Sequence, residues 1–362
     1  MDKLTGKERM SRILRREPAD RVGLFEHFWN DTYAEWTQNQ GCPGDFNAEF
    51  GFDMVECWPT NFTARLDFQP VKVAEDEDTV TYLDGNWATM RRHKKHDTTP
   101  EHIGFGIDSR EKWEELVKPL LTNEADLERR INFEAYRNAK KYAEERQLFF
   151  VWSGTNVFEL MHPLVGHEEM LAAMIYDPDW ITDMAQTYAE MTVRAQKLLF
   201  EREGKPDGIW YYEDMGYKGA PFMSPAMYDR FLYPAHKYTF DFAKSLDLPV
   251  IVHSCGFIEP LIDGLLRAGM DMLQVIEVKA GMDLLRLYEK YGDRLSFMGG
   301  IDVRELYTND KARIDAELEK KIPIVKQGYG YAVHSDHSIP KTVNYETYKY
   351  FVNKALELGR YD

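Results

Sequence analysis

The chain has 362 residues, 44% of them hydrophobic, and carries 45 basic against 61 acidic side chains for a net charge of −16. That charge repels phosphate backbones and anionic membrane surfaces, which argues against nucleic acid or a membrane as partner. Three cysteines, Cys42, Cys57 and Cys255, are too few and too irregularly spaced for a disulfide framework or a four-cysteine zinc module.

The opening segment Met-Asp-Lys-Leu-Thr-Gly-Lys-Glu-Arg has no apolar signal core, and no apolar run reaches the ~18 residues of a membrane span. A soluble, cytoplasmic protein is expected, in which the Asn-x-Thr sequons at Asn30 and Asn61 carry no meaning. Residues 4–15 read as a short amphipathic helix, 21–25 as a first strand and 51–57 as a second. Between 70 and 90 the pattern alternates with a two-residue period around Asp84-Gly85, which predicts a β-hairpin inserted at about 70–95. A strand at 148–154, a helix at 179–203 and a strand at 208–213 follow, with Pro225 near the start of the next helix.

From there the pattern runs strand 249–255, helix 258–268, strand 271–277, helix 282–291, strand 295–301, helix 310–327, strand 329–335 and helix 345–358. Strands alternating with helices predict a parallel sheet with right-handed crossovers. The closure that fits this length is an α/β fold, a single (β/α)8 TIM barrel over 1–362 with an N-terminal helix and the inserted hairpin.

In such a barrel the strand ends face the active-site mouth, so strand-terminal polar residues are the site candidates. Pro249-Val-Ile-Val-His-Ser-Cys-Gly256 places His253 and Cys255 two apart, on one face of a strand. Thiolate, imidazole and carboxylate are zinc ligands, and a catalytic site leaves one position open. His253 and Cys255 are therefore the expected metal ligands, completed by one or two of Glu213, Glu277 and His337. Asp214 competes with Glu213 for the inward direction, since neighbours on a strand face opposite ways. Asp302, Asp336 and His334 also end strands, but the spacing of His334 directs it elsewhere. Aromatic and imidazole groups beyond the strand ends, His27, Trp29, Trp58, His162, Tyr212 and Tyr217, are the expected walls of a pocket for a flat substrate. No P-loop, Gly-x-Gly-x-x-Gly turn, His-Glu-x-x-His or Gly-x-Ser-x-Gly is present, and Glu75-Asp-Glu-Asp78 reads as a solvated hairpin edge.

Five segments together resemble the uroporphyrinogen decarboxylase superfamily: Glu17-Pro-Ala-Asp-Arg-Val22, Phe222-Met-Ser-Pro-Ala-Met-Tyr-Asp-Arg-Phe231, His253-Ser-Cys-Gly256, Phe297-Met-Gly-Gly-Ile-Asp302 and Ser335-Asp-His-Ser-Ile-Pro340. The resemblance covers nearly the whole chain and implies a barrel that, by family habit, forms homodimers. One branch decarboxylates uroporphyrinogen without a cofactor, using an early aspartate and an arginine-rich segment. The matching segment here, Phe25-Glu-His-Phe-Trp-Asn-Asp31, has no arginine, and the aspartate position falls near Pro59 and Thr60. His337 does match a histidine of that branch. The other branch holds zinc-dependent methyltransferases that work with corrinoid proteins and carry His-x-Cys at a strand end. His253-Ser-Cys255 matches that motif, while His337 stands where many members have a second cysteine.

The resemblance thus implies zinc-assisted transfer of a methyl group from a methylated or methoxylated small molecule, an aromatic ether by preference. The acceptor it implies is the Co(I) of a corrinoid (cobalamin) on a partner protein. In that scheme Glu213 or Asp214 supports the metal, and His337 is a ligand or the acid for the departing oxygen. The rival expectations are a cofactor-free decarboxylase of an aromatic or tetrapyrrole acid and a non-catalytic corrinoid or haem binder.

Overall fold

The computed structural model of the chain describes residues 3–95 and 99–361. Eight strands form the central sheet: β1 (Gly23–Leu24), β2 (Met54–Cys57), β3 (Phe149–Thr155), β4 (Gly208–Tyr212), β5 (Val250–Ser254), β6 (Met272–Val275), β7 (Ser296–Gly299) and β8 (Tyr331–Val333). Their order is β2-β3-β4-β5-β6-β7-β8-β1, and every neighbouring pair is parallel. With helices on the outside this is the expected (β/α)8 barrel. The strands are nearly continuous apolar runs because both faces are buried, one by the barrel interior and one by the helical ring.

The seam between β1 and β2 has no ladder and is closed by Asp53, which is 2% exposed. The Asp53 amide donates to the Leu24 carbonyl at 2.9 Å, and its Oδ2 accepts the Leu24 amide at 2.9 Å. The same carboxylate takes Arg9 Nη1 at 2.6 Å and Arg21 Nη1 at 2.8 Å. Arg9 lies on the helix Gly6–Leu14, which Thr5 and Glu8 start with a reciprocal capping box. This helix packs at the amino-terminal ends of the strands, where Ser296 Oγ donates to the Ile13 carbonyl.

The insertion is larger than the expected hairpin. Four antiparallel strands, Val71–Glu75, Thr79–Leu83, Ala88–His93 and Glu101–Phe105, form a meander. The turn at Asp84 was legible because its Oδ1 accepts the amides of Asn86 and Ala88. The last strand, Glu-His-Ile-Gly-Phe, is short and contains a glycine, so its alternation carries little signal. The sheet matters to the site because Arg92, Thr99 and Pro100 lie at the mouth of the central cavity.

Asp53→Ala strands two guanidinium groups and an amide, and is expected to lower stability by about 3–5 kcal/mol. Breaking the exposed Arg15–Asp247 pair, 3.5 Å apart, should change it by less than about 1 kcal/mol. Urea unfolding midpoints at constant m-value check both.

Candidate metal centre and cavity

Alternation along β4 decides which polar residues reach the barrel interior. Trp210 and Tyr212 point inward, with the Trp210 ring 5.6 Å from Phe25 and 5.3 Å from His27. Tyr211 points outward, its hydroxyl 3.2 Å from Gln196 on the helix Pro178–Glu203. Continuing the period, Asp214 turns inward and Glu213 outward. Glu213 is fully buried, with Oε1 2.6 Å from His236 Nε2 and Oε2 accepting the Glu159 amide at 2.9 Å. Both its oxygens are engaged between barrel and helices, so the structure does not bring Glu213 to the metal position.

His253 and Cys255 share a face as expected, with Cys255 Sγ 3.3 Å from His253 Nε2. Asp214 Oδ1 lies 3.2 Å from the same nitrogen and accepts the Cys255 amide at 2.7 Å. The three ligand atoms all lie within 4.8 Å of one another, and no other such trio occurs among the described residues. The turn that follows is tight: Gly256 has φ +80°, and a Cβ there would stand 2.2 Å from the Gly216 carbonyl carbon. Its amide donates to Glu277 Oε2 at 2.6 Å, and Lys279 pairs with the other Glu277 oxygen at 3.3 Å. Glu277 therefore holds the loop below the cysteine and stands outside the trio.

The buried Gln274 fixes the ring of His253. His334 Nδ1 faces the Ser335 carbonyl at 2.6 Å and must donate, so His334 Nε2 accepts. The amide nitrogen of Gln274 donates to that Nε2 at 3.3 Å, which turns the Gln274 oxygen onto His253 Nδ1. His253 thus keeps its Nδ1 proton and directs Nε2 at Asp214 and Cys255, the arrangement metal-ligating histidines require.

Charge follows the same geometry. Partial burial pushes the Asp214 carboxyl up, but His253 and the Cys255 amide outweigh it and hold the group below its ordinary value. Burial pushes the His253 imidazole down, but Asp214 and Gln274 outweigh it and raise the ring. Cys255 is raised well above an ordinary thiol, by burial first and then by the carboxylates of Asp214, Glu277 and Glu159. The site thus favours protons on the imidazole and the sulfur, and a metal ion would compete with them for the same positions. One imidazole nitrogen, one sulfur and one carboxylate oxygen, converging beside open space, fit a zinc ion with a vacant coordination position.

The trio opens into a cavity of about 530 Å³ at the carboxyl ends of the strands. His27, Trp29, Trp58, Tyr212 and His337 line it, as do Glu56, Arg92, Gln274 and His334. A wider hollow of about 800 Å³ lies at the opposite, amino-terminal ends of β3 and β4. His337 stands against Trp29, ring centroids 5.8 Å apart, and is outside the ligand trio. Tyr217 is 67% exposed on the loop after β4, packed on Phe222, and does not line the cavity. His162 sits behind the site, paired with Glu159 at 2.9 Å and stacked on His167 at 4.1 Å; burial holds it at about 4, so it is neutral.

Glu56, Gln274 and His334 were missed as site residues. Glu56 and Gln274 were findable as polar residues at inward positions of apolar strands, Met-Val-Glu-Cys and Met-Leu-Gln-Val. His334, set aside on spacing, is 1% exposed and bonded to both His27 and Gln274.

The uroporphyrinogen decarboxylase (URO-D) family model matches residues 107–358. The chain belongs to that family. Among solved structures, a methyltransferase from Methanosarcina mazei superposes with a TM-score of 0.68 at 18% identity, covering 98% of this chain and 99% of its own. A β-glycosidase from the hyperthermophile Thermosphaera aggregans, at 12% identity, covers 95% of this chain and 98% of its own with a TM-score of 0.38. A search of curated proteins finds no match. The methyltransferase shares this chain's fold along nearly its whole length. No helix among the described residues is long and apolar enough to cross a membrane.

Loading zinc must displace protons from Cys255 and His253, so affinity is expected to rise with pH, with proton release in calorimetry. Gln274→Leu frees the His253 ring and should weaken zinc about 10–100-fold. Asp214→Asn should lower zinc stoichiometry while Glu213→Gln retains it, as metal analysis of the purified variants will show.

Proposed function

We infer that this protein is a zinc-assisted methyltransferase that moves a methyl group from a methoxylated aromatic donor to the Co(I) centre of a corrinoid protein. The observation that carries the reading is the convergence of Asp214, His253 and Cys255 at the floor of an aromatic-walled cavity. Zinc, when bound by those three side chains, supplies a Lewis acid for the ether oxygen.

The remaining work belongs to the chain. Trp58 and Tyr212, ring centroids 4.4 Å apart, and Trp29 across the cavity offer faces on which a flat ring can lie. The Tyr212 ring stacks on His253 at 4.6 Å, which sets the substrate wall directly beside the ligands. In the reaction the methyl carbon–oxygen bond breaks with its electron pair going to oxygen. The Co(I) electron pair forms the cobalt–carbon bond, and a proton converts the departing oxygen to a hydroxyl.

The competing decarboxylation of a polycarboxylate is disfavoured by the cavity's charge. Among its described lining residues Arg92 is the one arginine and there is no lysine, while Glu56 and Asp214 add negative charge. A polycarboxylate desolvated in such a site would meet one arginine and a His27 already paired with Glu56, too few cationic partners for its charge.

Purified protein should transfer methyl groups to reduced cobalamin from at least one member of a panel of methoxybenzenes, and chelation should abolish transfer until zinc is restored. Carbon dioxide release from an aromatic acid that persists in chelator, with no methyl transfer from any donor, would replace this reading with cofactor-free decarboxylation.

A further inference from the structure

A second polar cluster opens into the same cavity, and the zinc reading draws on it only through His334. His27 Nε2 lies 2.9 Å from Glu56 Oε1, and His27 Nδ1 lies 3.0 Å from His334 Nε2. Glu56 Oε2 accepts Trp58 Nε1 at 3.0 Å and the Tyr212 hydroxyl at 3.1 Å. Burial pushes the Glu56 carboxyl up, but His27 and the hydrogen bonds from Trp58 and Tyr212 outweigh it and hold the group below its ordinary value, as an acceptor.

The proton count on His27 follows from its neighbours. His334 spends its one ring proton on the Ser335 carbonyl, so its Nε2 is an acceptor shared by the Gln274 amide at 3.3 Å and by His27 Nδ1, which donates to it at 3.0 Å. Glu56 accepts, so His27 Nε2 must donate as well. Both nitrogens of His27 therefore carry protons. Around it, Glu26 Oε1 accepts the His27 amide at 3.0 Å, burial pushes the Glu26 carboxyl up to about 8, and the rings of Phe25 and Trp210 pack at 5.2 and 5.3 Å. His27 and Glu56 are about one-fifth exposed, at 22% and 20%, and that exposure is to the cavity.

We propose that His27, held as an imidazolium between Glu56 and His334, is the proton donor to the oxygen that gives up its methyl group. This rests on the methyl-transfer reading above and assigns its proton to a residue other than His337. Burial and the nearby Lys279 lower the His337 imidazole and disfavour its cationic form, and its ring stands against Trp29.

The step balances. As the carbon–oxygen pair moves onto oxygen, the Nε2 proton of His27 passes to it, and the demethylated hydroxyl compound departs. The Co(I) corrinoid, the electron-pair donor, leaves oxidised by two electrons and methylated. The Tyr212 hydroxyl, 3.2 Å from Nε2, turns from Glu56 to the vacated nitrogen until solvent returns the proton through the mouth.

Two measurements test this on the full chain. Nitrogen-15 NMR of histidine-labelled protein, with His27 assigned by its loss in His27→Gln, should show both ring nitrogens protonated at neutral pH, and Glu56→Gln should return the ring to neutral. In methyl transfer from ring-substituted methoxybenzenes to reduced cobalamin, His27→Gln should slow the unactivated ether by about 10²-fold or more. The loss should shrink steadily as nitro substituents make the leaving oxygen less basic, with zinc stoichiometry unchanged. A neutral His27 ring, or a loss equal across the series, overturns the assignment. If the wild type transfers from no donor, the methyl-transfer reading fails first; if it transfers and the variant matches it throughout, the His27 assignment alone fails.

Discussion

A single side-chain amide, that of Gln274, sets the direction of the whole centre. Its oxygen accepts the Nδ1–H of His253 and its nitrogen donates to His334, whose tautomer the Ser335 carbonyl sets, so one glutamine carries that orientation on to His253. Without it the His253 ring could present either nitrogen to Cys255 and Asp214, and the trio would lose the preorganisation that makes three ligands sufficient. Because Gln274 is buried in the middle of β6, its position is enforced by the barrel's own ladder, with β5 on one side and β7 on the other.

The cavity divides into two chemical halves joined by that amide. Asp214, His253 and Cys255 converge at one end, where the proposed function places the zinc ion, and Glu56, His27 and His334 form a polar end, to which the proposal assigns the proton. Tyr212 touches both, stacking on His253 while its hydroxyl reaches Glu56. A bond that breaks between carbon and oxygen needs charge stabilised on the oxygen, and the roles proposed for the two halves both bear on that atom. The barrel allows this because adjacent strand ends converge at its carboxyl face.

The barrel was legible in the sequence because its strands, buried on both faces, read as short apolar runs between long amphipathic helices. The final helix was expected at 345–358 and runs Tyr345–Leu358. Ends of β1 and β2 were less visible, since only a few residues of each pair with a neighbour and the seam relies on the Asp53 carboxylate. At the site, the His253 and Cys255 pair was readable from its two-residue spacing. Choosing between Glu213 and Asp214 needed the phase of β4, which the run Trp-Tyr-Tyr hides because large aromatics fill both faces of that strand. Partners brought together from distant segments, such as His27 with His334 and Glu56 with Tyr212, leave no mark in local spacing.

The account stands on the first coordination sphere of a single zinc ion, and X-ray absorption at the zinc edge reads that sphere directly. The predicted spectrum has one sulfur at about 2.3 Å and nitrogen or oxygen neighbours at about 2.0–2.1 Å in a site of low coordination number. The sulfur component should disappear in Cys255→Ser. A zinc-loaded protein whose metal shows no sulfur neighbour, or whose sulfur survives that substitution, would contradict it.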